Sequence, residues 1–177
     1  LVGAATGANI SLLMASQQPE RLAGLMVINP ALNLSEEKKE QLKAAMMQCQ
    51  HFASFEEAAS ALPHAQRWTD EVRTANAQAA FRQTATGYEW RCSLKAVAAT
   101  YDAVAVPMWD QLAVRCPTLI VRAEESPVFS AADQEQLQQV IPGATSIMLA
   151  DAGQLVMQDQ PAELAHLLDH FVQNHNL

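Results

Sequence analysis

The first ten residues, LVGAATGANI (residues 1–10), decide how the rest of the chain is interpreted. A short apolar run leads into Gly3, small side chains follow as far as Gly7, and a helical pattern begins near Ala8. Glycine and alanine let a strand and a helix approach closely at a tight turn, because they carry little or no side chain. The stretch therefore predicts a strand, a sharp turn and a helix in immediate succession.

Two further apolar runs predict buried strands, LAGLMVIN (22–29) and CPTLIVRAE (116–124). Near-continuous apolar runs are typical of parallel strands that are covered on both faces. Helical patterns alternate with these runs, including residues 130–143, which end in Pro-Gly, and residues 161–175, which begin with proline. This alternation predicts an α/β fold that is built on a parallel sheet.

The middle of the chain has a different pattern. Ser35 and Ser54 are each followed by acidic residues, which is typical of helix N-termini. Residues 69–84 predict a third helix. The predicted organisation is an α/β core formed by residues 1–30 and 115–177, interrupted at residues 31–114 by a helical cap or lid.

Composition excludes several functions. The 177 residues include 11 basic and 19 acidic side chains, for a net charge of −8, which disfavours binding to nucleic acids or anionic membranes. No apolar stretch reaches transmembrane length, and no signal peptide is evident. The three cysteines, Cys49, Cys92 and Cys116, are too few and too far apart for a disulfide framework or a zinc site, so we expect reduced thiols in the cytoplasm.

Together the segments resemble the C-terminal two-thirds of an α/β-hydrolase, from the fifth strand of that fold onward. LVGAATGAN is similar to that strand and the nucleophile elbow, whose pattern is G-x-S-x-G. QQPERLAGLMVINPA is similar to the following helix and strand, RCPTLIVRAEESPVFS to the next strand and its loop, and DAGQLVMQDQPAELAHLLDHFV to the segment that usually carries A-G-H. The resemblance is strong over residues 1–30 and 115–172, and generic between them.

The resemblance implies three catalytic positions, at which this sequence carries unreactive side chains. Ala5 stands where the family has its nucleophilic serine, and Gln154 where it has the histidine; an amide is no general base. The position of the triad acid is open between Asn29 and the loop from Glu124 to Pro127. The backbone N–H of Thr6 corresponds to the oxyanion-hole donor that follows the nucleophile.

The activity that the resemblance implies is hydrolysis of an ester, a lactone or a carbon–carbon bond next to a carbonyl, in a small apolar substrate. Ala5, Asn29 and Gln154 each remove a reactive group and roughly keep its shape, so we expect an inactive, triad-replaced form. The preferred hypothesis is deliberate inactivation; the alternative is a natural pseudoenzyme that binds a small molecule or a protein. We expect an ester-like or carbonyl ligand under the cap and no cofactor.

Other motifs indicate little chemistry. His166 and His170 have a metal-ligand spacing, but the glutamate of H-E-x-x-H and a third ligand are missing, which favours a solvated or helix-capping role. GAATGA lacks the Lys-Ser/Thr pair of a P-loop. Five methionine and tryptophan residues could either line a pocket beneath the cap or form the cap's own core. These residues are Met46, Met47, Trp68, Trp90 and Trp109.

The chain begins without methionine, within a predicted buried strand. The first four strands of the resembled fold, and the loop that supplies half of its oxyanion hole, have no counterpart here. A first strand with an unpaired apolar edge would be an aggregation hazard. We therefore expect the missing strands to come from an upstream segment or from another chain.

Overall fold

The computed structural model describes residues 1–48, 50–104 and 107–177, so that Cys49 lies outside the described residues. Cys92 and Cys116 are free thiols. The strands are β1 (Val2–Ala4), β2 (Leu25–Ile28), β3 (His51–Phe52), β4 (Phe81–Thr84), β5 (Gly87–Trp90), β6 (Thr118–Ala123) and β7 (Thr145–Leu149). The α-helices are α1 (Thr6–Gln17), α2 (Glu36–Met47), α3 (Phe55–Ser60), α4 (Asp70–Ala80), α5 (Leu94–Val104), α6 (Ala131–Val140), α7 (Val156–Asp159) and α8 (Pro161–His175).

The described chain forms two compact units. The first comprises Leu1–Leu34 and Val104–Leu177, and the second comprises Ser35–Ala103. The sequence predicted the same order of segments, with divisions after residues 30 and 114. Across the residues described, none of the helices has both the length and the apolar character needed to cross a membrane.

The first unit is built on a parallel sheet, as the apolar runs predicted. Its strand order is β1-β2-β6-β7, and each neighbouring pair is parallel. The last residues of β1 and β2, Ala4 and Ile28, pair with each other, and so do those of β6 and β7, Ala123 and Leu149. Ile28 pairs with Val121, two residues before the end of β6. All four strands therefore end at one edge of the sheet.

The sheet is covered on both faces, and the alternation of side chains along β2 shows why. Leu25 and Val27 belong to one core cluster, together with residues of α1 and α6 such as Leu12 and Leu137. Met26 and Ile28 point to the opposite cluster, which includes Phe171 of α8. All four residues of β2 are buried. Helices on both faces explain why this strand has an uninterrupted apolar sequence.

The second unit contains the helices that the sequence predicted, and a sheet that it did not predict. The side chains of Ser35, Ser54 and Thr69 each accept a backbone N–H in the first turn of α2, α3 and α4. Hydrogen bonds from Lys43 to Asp102 and Glu40 raise the pKa of Lys43, and the bond to Asp102 links α2 to α5.

The helix predicted over residues 69–84 ends at Ala80 and continues as β4, so the prediction was wrong for its last four residues. Antiparallel pairing produces the order β3-β5-β4. Phe81 lies opposite Trp90, and such aromatic pairs stabilise a hairpin more than they stabilise a helix. Gly87 has a φ of 146°, which the turn can accommodate only with glycine.

A pair of glycine substitutions tests the close approach of β1 and α1. A Cβ on Gly3 would lie 2.4 Å from both the carbonyl oxygen of Gly7 and Oγ of Ser11. We expect Gly3→Ala to lower the free energy of unfolding by about 1–3 kcal/mol, as overpacking does. Urea denaturation followed by circular dichroism measures the change.

Gly7→Ala is the matched control, because a Cβ at that position would meet no atom within 4 Å. Alanine is also the better helix former, so this variant should be as stable as the parent or more stable. Equal losses in the two variants would contradict the assigned contact.

Candidate active site

Four short segments meet at the carboxyl edge of the parallel sheet. Ala5 follows β1, Asn29 follows β2, Ser126 lies in the loop after β6, and Gln154 lies in the loop after β7. In parallel α/β sheets, ligands bind outside the carboxyl ends of the strands. The topology therefore places Ala5, Asn29, Ser126 and Gln154 at the same edge of the sheet.

Ala5 occupies the turn between β1 and α1 in an unusual backbone conformation, with φ 48° and ψ −121°. A non-glycine residue in a sparsely populated region costs about 1–3 kcal/mol and persists only when its surroundings impose it. Hydrogen bonds hold both sides of this residue. Its N–H donates to the carbonyl of Ile28 at 2.9 Å, and its carbonyl accepts the N–H of Ala8 at 2.9 Å.

The first turns of α1 make further polar contacts, one of them to the segment after β2. The Asn9 side chain, which is 2% exposed, donates to and accepts from the backbone of Ala31 at 2.9 Å each. The Ser11 hydroxyl donates to the carbonyl of Gly7 at 2.7 Å. Thr6 is the first residue of α1, so its N–H has no carbonyl four residues earlier within the helix. The predicted oxyanion donor therefore lies in the first turn of a well-anchored helix.

Asn29 is fully buried and connects three segments through its side chain. Its Oδ1 accepts the N–H of Ala123 at 2.8 Å, and its Nδ2 donates to the carbonyls of Gly153 at 3.4 Å and Gln154 at 3.2 Å. Its backbone has a φ of 46°. The amide satisfies one donor at the end of β6 and two acceptors in the loop after β7, which is a structural role.

Gln154 is half-buried, and its side chain bridges two of the other positions. Its Nε2 donates to the backbone carbonyl of Asn29 at 3.3 Å. Its Oε1 accepts the hydroxyl proton of Ser126 at 2.8 Å. The Ser126 oxygen in turn accepts the N–H groups of Val128 at 3.4 Å and Phe129 at 3.2 Å. The side chain of Gln154 thus bonds to the side chain of Ser126 and to the backbone of Asn29.

The side chains of Ala5, Asn29, Ser126 and Gln154 are all uncharged at neutral pH, and none of them is a general base. Two acids in this part of the chain bind loop backbone. Glu124 accepts the N–H of Asp151 at 3.2 Å, and Asp159 accepts the N–H of Gly153 at 2.7 Å. The cluster can donate and accept hydrogen bonds, but it holds no group that could activate a nucleophile.

The other residues singled out from the sequence lie elsewhere. His166 and His170 are on α8, and within the described ranges no group of three or more His, Cys, Asp or Glu side chains is arranged to hold a metal ion. Trp109 packs against a core cluster of the first unit, whereas Trp90 packs on Phe81 in the second unit. Met46, Met47 and Trp68 also belong to the second unit. The five methionine and tryptophan residues are therefore divided between the units.

Comparison with known proteins gives one family. The profile described as "Serine aminopeptidase, S33" matches residues 1–151. No curated protein sequence matches the chain significantly.

Solved structures give many neighbours. The structure of E-2-(acetamidomethylene)succinate hydrolase superimposes with a TM-score of 0.85 at 21% identity, and covers 98% of this chain and 66% of its own. A thioesterase domain from the curacin biosynthetic pathway has a TM-score of 0.71 at 24% identity, covering 95% and 63%. A malate-bound esterase from Thermogutta terrifontis has a TM-score of 0.70 at 22% identity, covering 100% and 65%. The chain thus spans about two thirds of the length of these proteins.

The role of Asn29 leads to a pH-dependent prediction. In Asn29→Asp, a carboxylate oxygen would replace Nδ2 and face the carbonyls of Gly153 and Gln154. We expect a loss of about 1–3 kcal/mol in the free energy of unfolding at neutral pH, because two buried carbonyls lose their donor. Burial and the carbonyl oxygens raise the pKa of the new carboxyl above its unfolded value of about 3.9.

The sign of the pH effect follows from that shift. Between the unfolded pKa and the raised folded pKa, the folded state binds more protons, so stability falls as the pH rises. Below about pH 4 the acid is protonated in both states, and the electrostatic part of the loss should disappear. Thermal unfolding at several pH values measures this effect. Ser126→Ala is the control, whose effect should be independent of pH, and a pH-independent loss in Asn29→Asp would contradict the assignment.

Proposed function

The chain belongs to the serine aminopeptidase S33 family and has the α/β-hydrolase fold, and from this premise we propose that its site binds a carbonyl compound without hydrolysing it. The proposal assigns the elbow position to Ala5 and the base position to Gln154. A serine nucleophile in this fold needs a histidine to take its proton and an acid to orient that histidine. Ala5 has no hydroxyl, and Gln154 neither gains nor loses a proton near neutral pH.

The observation that carries the proposal is the backbone of Ala5. The elbow of this fold holds its nucleophile on a strained turn so that the side chain stands clear of the sheet. Ala5 keeps a positive φ although it has no nucleophile to present. Strain at such a position is normally part of a functional site. A strained elbow conformation at a residue that has no nucleophilic side chain supports the proposal that the site still binds a ligand.

The bond between Ser126 and Gln154 supports an assignment of the acid position. In an active triad the acid accepts a proton from the histidine, and both side chains follow the last two strands of the core. Ser126 and Gln154 follow β6 and β7 and are joined by a hydrogen bond of 2.8 Å. Asn29, by contrast, uses its side chain for the backbone of Ala123, Gly153 and Gln154. We therefore assign the acid position to Ser126 rather than to Asn29.

The names of the structural neighbours indicate a general class of ligand. They include a hydrolase of an acetamido-substituted succinate, a thioesterase domain and an esterase, which act on an amide, a thioester and an ester. The chemistry they share is an acyl carbonyl. For this chain we propose a small, apolar acyl compound, whose carbonyl oxygen accepts a hydrogen bond from the N–H of Thr6.

Restoring the triad tests the proposal. In the full-length protein, Ala5→Ser with Gln154→His and Ser126→Asp should hydrolyse aryl esters at least about 100-fold faster than the parent, because nucleophile and general base are then both present. Phenol release measures the rate. Ala5→Ser alone should gain little, since triad residues act as a unit.

A second triple variant distinguishes the two acid positions. It combines Ala5→Ser and Gln154→His with Asn29→Asp in place of Ser126→Asp, and we expect it to be slower and less stable. If the variant with Asn29→Asp is the faster of the two, the acid position is Asn29. If neither variant exceeds the parent, the assignment of Ala5 and Gln154 as vacated catalytic positions is wrong.

Binding without turnover can be measured on the unmodified protein. Phenyl acetate should shift the amide resonances of Thr6 and Gln154 in a saturable way, and no phenol should be released beyond the rate in buffer. Ethyl phenyl ether, which has a similar shape but no carbonyl, is the matched control and should bind more weakly. Equal shifts with the two compounds would exclude carbonyl recognition, and enzymatic phenol release would exclude an inactive site.

A further inference from the structure

Apart from the carboxyl-edge site, the second unit contains a pocket of its own. Its volume is about 420 Å³. Three aromatic and three polar side chains line it. They are Phe55, Phe81 and Tyr88, together with Gln78, Gln83 and Arg91. All six belong to α3, α4, the hairpin of β4 and β5, or the residue that follows this hairpin. The pocket is therefore formed without any residue of the carboxyl-edge site.

The aromatic wall is fixed by ring packing. The ring of Phe81 lies 4.3 Å from that of Trp90 and 5.2 Å from that of Phe52. Phe55 and Tyr88 meet edge to face at 5.7 Å. Such aromatic pairs contribute beyond their buried area, and they restrict the rings to one arrangement. The apolar surface of the pocket is thus preformed rather than assembled by a ligand.

The hairpin register separates the pocket face from a charged face. Gln83 lies opposite Tyr88 in the β4–β5 pairing, and both line the pocket. Arg82 and Glu89 are the intervening pair, and they form a salt bridge with each other. Because successive side chains alternate between faces, this ion pair lies on the face opposite the pocket. Arg82 is therefore satisfied and remote from the pocket lining.

Arg91 differs from Arg82 in what its guanidinium contacts. Its Nε–H donates to the carbonyl of Phe81 at 2.8 Å, which holds the side chain beside the pocket. In the part of the chain that the structure describes, no carboxylate pairs with this guanidinium, whereas Arg73 pairs with Asp70 and Arg82 with Glu89. Acidic residues outnumber basic ones by 19 to 11, so the chain does not lack carboxylates. The pocket leaves the terminal N–H groups of one arginine available.

We propose that this pocket binds an aromatic carboxylate. An arginine fork donates two parallel hydrogen bonds to a planar carboxylate, which a neutral group cannot reproduce. The rings of Phe55, Phe81 and Tyr88 contact an aromatic body, and the amides of Gln78 and Gln83 supply further hydrogen bonds at the rim. The site needs both parts of the ligand, since an inorganic anion cannot pack on the aromatic rings and an uncharged ring cannot pair with the guanidinium.

The test uses three probes on the full-length protein. 2-Naphthoate should bind saturably and shift the resonances of the Arg91 Nε–H, the Tyr88 amide and the Trp90 indole. 2-Naphthamide, its uncharged counterpart, and inorganic phosphate, which lacks the ring, should each bind at least about tenfold more weakly. If naphthamide or phosphate binds as tightly as naphthoate, the proposal is overturned. It is also overturned if naphthoate shifts only residues around Gln154.

Two variants of Arg91 and one of Arg82 test whether the Arg91 guanidinium binds the carboxylate. Arg91→Gln should weaken naphthoate binding by about tenfold or more, and Arg91→Lys, which keeps the charge but not the fork, should be intermediate. Arg82→Gln is the matched control on the same hairpin and should bind as the parent does, within about twofold. If Arg91→Gln disturbs the hairpin, the role of Arg91 is still tested by Arg91→Lys, and carboxylate recognition is still tested by comparing naphthoate with naphthamide on the parent. Equal losses in Arg82→Gln and Arg91→Gln would refute a specific role for Arg91.

Discussion

The buried amide of Asn29 is the interaction on which the arrangement of the site depends. It follows the central strand β2, and it accepts from the backbone of the last residue of β6 while donating to the loop after β7. The bonds to the N–H of Ala123 and the carbonyl of Gly153 are buried, and a buried backbone group without a partner costs about 1–3 kcal/mol. An amide suits the place because it donates on one side and accepts on the other, which a carboxylate does not do. The position of Gln154 follows from this connection, and so does the distance between Gln154 and Ser126.

The elbow illustrates a different constraint, in which the surroundings impose a conformation that the residue itself disfavours. Ala5 lies between a strand residue that must be glycine and a helix that is anchored by the bonds of Asn9 to Ala31. The strand and the helix are too close for a relaxed connection, and the hydrogen bond from Ala5 to Ile28 fixes the turn. The free energy that maintains a positive φ at Ala5 therefore comes from packing around the turn. This explains how an alanine keeps a positive φ at this turn.

Much of the fold could be predicted from the sequence, because its signals are local. The apolar runs at 22–29 and 116–124 indicate strands that are covered on both faces, and β2 sends alternate side chains into two separate cores. The strand β4 was missed because residues 69–84 contain no local stop for a helix. The feature that ends α4 is the pairing of Phe81 with Trp90, which depends on residues nine positions apart. Propensity within a short window cannot detect such a pairing.

The site was predictable in position but not in its connections. Family order places Ala5, Asn29 and Gln154 at strand ends. A sequence does not show where a side chain points, so it could not decide which residue occupies the position of the triad acid. Similarly, nothing in the sequence shows that Arg82 pairs with Glu89 whereas Arg91 bonds the carbonyl of Phe81. Hydrogen-bond partners are set by tertiary contacts, which a linear pattern leaves undetermined.

The proposed assignment of Ser126 and Gln154 to the acid and base positions also explains, through the polarity of their hydrogen bond, why both carry neutral groups. In an active triad the proton lies on the histidine and the acid accepts it, which places an anion in a poorly solvated site. Here the hydroxyl donates and the amide oxygen accepts, so the direction of the bond is reversed and both groups are neutral. A charge buried without its partner costs more than a neutral hydrogen-bonded pair. Under the proposed assignment, no step requires a charge at these two positions, because Ala5 is no nucleophile, and the neutral pair joins the loops without one. On the same assignment, an alanine at the elbow removes the need for charged groups at the other two positions, and activity should return only when all three are restored.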